Sequence, residues 1–157
     1  MYNMMKNNTI DGLIEFLNVS DLKAKDVKSY VPDINYGKVI KVYDGDTVTI
    51  ATTLHNGGIC PSLELYKFSV RILGIDTPEI KTNNSVEHEL GIVARDALSD
   101  LILNKVVKLE NLSYDKYGRI LCNLFLNDMN VSEWLISKDL AVRYDGGTKT
   151  KKWCEEN

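Results

Sequence analysis

Arg71 stands inside an apolar run, flanked by Val70, Ile72 and Leu73, and this placement constrains the fold more than any other feature of the chain. A guanidinium drawn into such a strand is costly to desolvate unless an anion meets it there. The same string runs on as Gly74-Ile75-Asp76-Thr77-Pro78-Glu79, and an earlier string, Asp44-Gly45-Asp46-Thr47, supplies further carboxylates. The fold therefore has to bring the two strings together. Aspartates gathered from two segments around one arginine also suit a hard cation, which prefers oxygen ligands.

The patterning around these strings is mostly that of strands. Lys38 to Tyr43 and Asp46 to Ile50 flank Asp44-Gly45, a strong turn signal. In the second strand Asp46, Val48 and Ile50 share a face, which sets a carboxylate at the end of an apolar row. Residues 55–62, with Gly57-Gly58 and Pro61, read as a loop, and Leu65 to Ile75 reads as one long strand that Pro78 ends. Lys81 to Ser85 reads as a mobile polar loop. Asn84 and Glu87 then form a capping box for a helix carrying Leu90, Ala94, Ala97, Leu98 and Leu101 on one face. Lys105 to Leu112 and Arg119 to Leu126 are two further strands, Asn130 and Glu133 cap a short helix, and Leu140 to Tyr144 extends again before Gly146-Gly147 and a polar tail. Five strands with a helix after the third, without βαβ alternation, indicate an α+β, mainly β fold: a five-stranded Greek-key barrel of the OB type with two or three packed helices.

Residues 1–35 stand apart from the domain expected over residues 36–157. Ile10, Leu13, Ile14 and Leu17 recur at helical spacing, and Ser20 is placed to cap a second short helix ending before Pro32. This extension either packs on the domain or covers a strand edge, with partner binding as the alternative. The chain of 157 residues, 44% hydrophobic, is long enough for one domain with a real core. Cys60, Cys122 and Cys154 are odd in number and form no CxxC pair, so free thiols are expected rather than a disulfide framework or a structural zinc. The opening residues resemble no secretory signal, and no run approaches the ~20 apolar residues of a membrane span. A soluble, intracellular protein is expected, monomeric unless the extension drives dimerisation. The net charge of −3 and pI of about 5.4 work against nonspecific nucleic-acid binding, which usually rests on a basic field.

Each chemical fragment has a plain structural reading by itself. Asp-Gly-Asp is usually a turn, Thr-Pro-Glu often begins a helix, and Arg119 after Tyr117-Gly118 can be a solvated strand residue. His55 and His88 have no ligand spacing and read as surface positions. The ordered combination is far more specific: Asp-Gly-Asp-Thr at a strand start, Arg71, Asp76-Thr77-Pro78-Glu79, a helix, then Asp115-Lys116-Tyr117-Gly118-Arg119 before another strand. It resembles the staphylococcal nuclease (thermonuclease) family from about Gly37 to Tyr144.

That resemblance implies a calcium-dependent endonuclease on an OB barrel, acting on DNA and RNA by water attack at the 5′ side and leaving 3′-phosphate ends. By the same resemblance Asp46 and Asp76 are calcium-binding carboxylates, with the backbone carbonyl of Thr77 as a third ligand. Glu79 matches the residue that positions or deprotonates the attacking water, Arg71 and Arg119 match the phosphate-clamping arginines, and Asp44 matches a nearby supporting carboxylate. Tyr117 and Tyr144 are candidates for stacking on a base or sugar. Arg143, Lys149, Lys151, Lys152 and Trp153 interleave basic and aromatic residues, a tail that is either solvated or strand-binding. The sequence departs from the family in an insertion around Asn56 to Leu63, in ending at Asn157 where a final helix generally follows, and in its acidic charge. The competing readings are a non-catalytic OB module that binds nucleic acid and a protein-interaction domain acting through residues 1–35.

Overall fold

Alternating burial along the strands shows how the barrel is assembled. In the computed structural model, which describes residues 10–19, 21, 23, 25, 27–54, 64–147 and 153, the element order is α1 (Ile10–Val19), β1 (Tyr36–Val42), β2 (Thr47–Thr52), β3 (Tyr66–Ile72), β4 (Ile75–Asp76), α2 (Ser85–Ile102), β5 (Val106–Tyr114), β6 (Ile120–Leu126), β7 (Met129–Asn130), α3 (Val131–Ser137) and β8 (Val142–Arg143). Strands β3-β2-β1-β5-β6 are hydrogen-bonded in that order, and a parallel β3–β6 pairing closes them into a five-stranded barrel. Every second side chain points inward, so Val39, Val48, Ile50, Val70, Ile72, Val107, Leu109, Ile120, Cys122 and Leu124 fill the interior. Helix α2 adds Leu98 and Ile102 to this core, and α3 adds Val131 and Leu135.

The chain divides into two units, Met1–Tyr30 and Val31–Asn157, each described by itself. In the first unit, helix α1 covers the expected Ile10, Leu13, Ile14 and Leu17. The second short helix does not form over residues 27–35, which carry no helix; Ser20 lies outside the described residues. Val27, Tyr30 and Val31 recur at helical spacing but stay exposed, so they lack the burial that stabilises a helix, and Pro32 disfavours the helical region for Val31 before it. Among the described residues no helix is long and apolar enough to cross a membrane.

Two features of the second unit differ from the sequence expectation. The long strand from Leu65 to Ile75 breaks after Ile72. A turn at Leu73-Gly74 separates β3 from β4, which leaves the barrel to pair with β8 through Ile75↔Arg143 and Asp76↔Val142. The freed carbonyls are taken up at once: Ser132 Oγ donates to Leu73 O at 3.0 Å, and the Tyr144 N–H donates to Gly74 O at 3.0 Å. Helix α2 buries Gly91, Ala94, Leu98 and Ile102, while Leu90 is exposed. Its inward stripe is therefore rotated toward small residues at the N-terminal end, where a loop runs close against it. Both expected N-caps form: Asn84 accepts from Glu87 N at 3.0 Å, and Asn130 accepts from Ser132 N at 2.8 Å and Glu133 N at 3.2 Å; the return half of the Asn84–Glu87 box is replaced, because the Asn84 N–H donates to Thr82 Oγ1 at 3.3 Å. The expected loop over residues 55–62, the insertion at 56–63, His55, Cys60, Cys154, Lys149, Lys151 and Lys152 lie outside the described residues.

Candidate active site

The two strings meet at one end of the barrel. Antiparallel pairing of β2 with β3 places Thr47 directly opposite Arg71, and the Ile72 N–H donates to Asp46 O at 2.8 Å. The Asp44-Gly45-Asp46 turn is closed by its own first residue, whose Oδ1 accepts the Asp46 N–H at 3.2 Å, the local bond that makes aspartate a turn former. Gly45 is required by proximity: a Cβ there would lie 2.9 Å from both Ala94 Cβ and Thr77 Cβ. The turn is thereby wedged between α2 and the Asp76–Glu79 loop. Gly91 serves the loop from the other side, since a Cβ on it would sit 2.9 Å from Pro78 O.

Within this frame Arg71 finds the anions its position demands. Nη1 forms an ion pair with Asp46 Oδ2, and Nη2 lies 3.5 Å from Asp76 Oδ1 and 3.4 Å from Ile75 O. Asp46, Asp76 and Thr77 are each only 3% exposed. Burial pushes the Asp46 carboxyl up to about 7; Arg71 works against that rise, and Asp44 and the Thr47 hydroxyl act in opposite, smaller senses. Ion pairing alone suggests an ionised Asp46. Desolvation carries more weight here because one guanidinium is shared between two buried carboxylates. Thr47 Oγ1 donates to Asp46 Oδ1 at 2.8 Å, which fixes the orientation of that carboxylate.

Arg119 arrives from the start of β6. Asp115 holds it: Arg119 Nε donates to Asp115 Oδ2 at 2.7 Å, while Asp115 Oδ1 accepts the N–H groups of Tyr117 at 2.8 Å and Arg119 at 2.9 Å. Burial works to raise the Asp115 carboxyl, but these bonds outweigh it and hold the group below its ordinary value. The free end of the guanidinium, Nη1, lies 3.4 Å from Thr47 Oγ1, so both arginines reach the Asp46–Thr47 corner. Tyr117 is exposed beside Arg119, with the guanidinium carbon 5.6 Å from the ring centroid. Glu79 is exposed at the rim. Its loop is anchored by its own N–H, which donates to Glu87 Oε1 at 3.3 Å, and by Thr82 Oγ1, which donates to Glu87 Oε2 at 2.9 Å.

Other expected residues sit differently. The Tyr144 hydroxyl donates to Gly147 O at 2.7 Å; the residue follows the β8 strand that pairs with Asp76, but its polar end closes its own turn. Arg143 is bound to Glu133 through contacts of 2.9 and 2.8 Å on the surface. The His88 ring lies against Ile80 O at 2.7 Å, a loop anchor, in keeping with its surface reading. Sequence reasoning read Glu87 only as a helix cap, Gly45 only as a turn residue and Asp115 only as part of a motif, and it passed over Gly91. Asp115 was within reach, since an Asp four residues before Arg119 in a turn is a ready partner. The two glycines meet their neighbours only through tertiary contact.

The oxygens that a cation could meet at this corner are those of the Asp46 and Asp76 carboxylates, both held against Arg71; the expected third ligand, Thr77, is buried next to Asp76 in the chain. Among the described residues no group of three or more His, Cys, Asp or Glu side chains is assembled for a metal. Two buried carboxylates share one guanidinium, so with both ionised the corner is one positive charge short. A divalent cation fits that deficit, and calcium accepts few protein ligands completed by water or phosphate oxygens.

Comparison with known proteins places the chain in a family. A protein of Methanocaldococcus jannaschii, MJ1439, is 38% identical over 115 residues, 60% of this chain and 50% of that protein. Staphylococcal-like nuclease CAN1 of Arabidopsis thaliana is 33% identical over 93 residues, 57% of this chain and 27% of that protein. Endonuclease YncB of Bacillus subtilis is 32% identical over 104 residues, 64% of this chain and 44% of that protein. The chain thus spans half or less of the length of these relatives. Residues 69–156 match the profile described as staphylococcal nuclease homologue, and with Arg71, the Asp76–Glu79 loop and Arg119 all inside that stretch, the chain belongs to the staphylococcal nuclease family.

Proposed function

We propose that this protein is a calcium-dependent endonuclease that hydrolyses phosphodiester bonds in DNA or RNA and leaves 3′-phosphate ends. The observation that carries this reading is the convergence of Arg71 and Arg119 on the corner formed by Asp46 and Thr47, beside the buried carboxylates of Asp46 and Asp76. Two forked guanidiniums at one corner match the oxygens of a single phosphate. The endonuclease and nuclease names of the Bacillus and Arabidopsis relatives support the same class of reaction.

In this reading Asp46, Asp76 and the Thr77 carbonyl hold the cation. The chemistry a calcium ion would supply when held there is charge neutralisation at the phosphate and a lower pKa for a nearby water. Glu79, exposed at the rim on a loop pinned by Glu87, takes the proton of the attacking water. As the water oxygen bonds to phosphorus, the P–O5′ bond breaks and the 5′-hydroxyl departs with a proton from solvent. Arg71 and Arg119 hold the equatorial oxygens while charge builds on them. Each is worth on the order of 3 kcal/mol in barrier, by analogy with other preorganised electrostatic groups. Lysine replaces neither, because it lacks the planar fork.

The test is incubation of the purified protein with single- and double-stranded DNA and RNA in calcium, magnesium or chelator. Calcium-dependent cleavage that Glu79→Gln and Arg71→Ala suppress is expected. Absence of cleavage in calcium, or cleavage indifferent to both substitutions, contradicts the proposal.

A further inference from the structure

The barrel carries two stations of the same chemistry, and the proposed reaction uses only one. At the first, Lys116 Nζ lies 5.0 Å and Arg119 Cζ 5.6 Å from the centroid of the Tyr117 ring. At the second, Lys41 Nζ lies 5.8 Å and Lys81 Nζ 5.3 Å from the centroid of the Tyr43 ring. Tyr43 is 45% exposed and Tyr117 72%, so each ring keeps surface available to a ligand. The Tyr43 station is built from separate parts of the chain. Lys41 and Tyr43 lie two apart at the end of β1 and point to one side, while Lys81 comes from the loop just past Glu79. The Tyr43 N–H donates to Thr47 O at 2.8 Å, fixing the residue against the Asp44–Asp46 turn. The Tyr43 hydroxyl bonds Lys81 and raises its ammonium pKa.

Strand order sets the two stations on opposite sides of the phosphate corner. Reading around the barrel, Tyr43 directly follows β1, β2 begins at Thr47, β3 carries Arg71 and β6 begins just after Arg119. Asp46 and Arg71 lie between the two tyrosines. Neighbouring strands are about 4.8 Å apart, and because the barrel is closed β1 and β6 are also linked through β5, so the strands that carry the two stations are roughly 10 Å apart, within reach of one extended single strand. Aromatic faces with adjacent cations are the usual means of holding such a strand without reading its sequence. In a chain of net charge −3, local stations of this kind supply what a general basic field does not.

We propose that Tyr43, Lys41 and Lys81 form a nucleotide-holding subsite for single-stranded nucleic acid, on the side of the scissile phosphate opposite Tyr117 and Arg119. Tyr43 stacks a base or sugar, and the two ammonium groups meet a backbone phosphate. The subsite rests on the nuclease reading above. Its test therefore uses single-stranded DNA with one cleavable linkage among cleavage-resistant ones, extended by four nucleotides on the 5′ or the 3′ side only. Tyr43→Leu should lower kcat/KM roughly 10-fold, as expected for loss of one stacked base, for one extension and not the other. Tyr117→Leu should act on the opposite extension. Tyr43→Phe should retain most of the rate, and the double variant Lys41→Gln, Lys81→Gln should show the same one-sided loss, which keeps the test intact should Tyr43→Leu fold poorly. Equal rates for wild type and both Tyr43→Leu and the double variant on all substrates, or equal losses on both extensions, overturn the subsite alone. Failure of the wild-type protein to cleave any substrate overturns the nuclease reading and the subsite with it.

Discussion

Replacing Asp46 by Asn should stabilise the metal-free protein while abolishing what the site does. Burial lifts the Asp46 carboxyl from its ordinary 3.8 to about 7 despite the ion pair with Arg71. A raised value means that the folded state binds the proton more tightly than the unfolded chain. The resulting stability is fully present below pH 4 and is lost as pH rises through about 7. At about 1.4 kcal/mol per pH unit, the rise from 3.8 to about 7 sets a ceiling of about 4 kcal/mol on that loss. Asparagine keeps the shape, can still accept from Thr47 and does not titrate. Urea unfolding in chelator at pH 5 and pH 8 reads the difference directly. Wild type should lose stability relative to Asp46→Asn between these values, and the variant should be the more stable at pH 8. Calcium at 100 times its Kd should return about 3 kcal/mol to wild type and much less to the variant. A wild-type protein whose metal-free stability runs parallel to that of Asp46→Asn from pH 5 to pH 8 refutes the argument that this carboxylate is held at the expense of stability.

Other residues give separable outcomes. Arg71→Lys keeps a charge in the run of β3 but loses the fork that reaches Asp46 and Asp76, so kcat/KM should fall roughly 100-fold. Gly45→Ala pushes a methyl to 2.9 Å from Ala94 and Thr77; thermal unfolding should report a loss of about 1–3 kcal/mol, accompanied by weaker calcium binding. Asp115→Asn removes the charged partner of Arg119 and should cost about 2 kcal/mol. Because the Asp115 value is lowered, its contribution is present above the ordinary carboxylate range and is lost only as pH falls through the lowered value. The stability gap between wild type and variant should therefore stay constant from pH 5 to pH 8 and close in acid. Burial pushes the Cys122 thiol up to about 12, so in the folded protein it should resist iodoacetamide at pH 8 and react once urea unfolds the barrel.

Much of the barrel could be read along the chain because its cues are local. Alternation marked β1, β2 and β6, and Asn84 with Glu87 and Asn130 with Glu133 marked the starts of α2 and α3. The break between β3 and β4 was not legible, because it depends on partners distant in sequence: Ser132, Cys122 and Tyr144 bind the backbone of Leu73 and Gly74. The inward face of α2 was misjudged for a similar reason. Gly91 is buried by the close approach of Pro78 rather than by its own hydrophobicity. At the site, Arg71 announced itself as a charge in an apolar strand, and the structure supplies the anions that position requires. Asp44 accepts the Asp46 N–H through its Oδ1 and so closes the turn, a contact local enough for the sequence to signal. The sharing of Arg71 between two buried carboxylates, and the grip of Asp115 on Arg119, emerge only when strands far apart in sequence are paired.

The central claim is that the carboxylate corner and the two arginines direct water onto phosphorus with loss of the 5′ oxygen. The most direct measurement is mass spectrometry of the products formed from a single-stranded DNA oligonucleotide in ¹⁸O-labelled water, with calcium and with chelator. The account predicts 3′-phosphate ends carrying one ¹⁸O and unlabelled 5′-hydroxyl ends in calcium, and intact substrate in chelator. Products with 5′-phosphate ends, or cleavage that persists in chelator, contradict it.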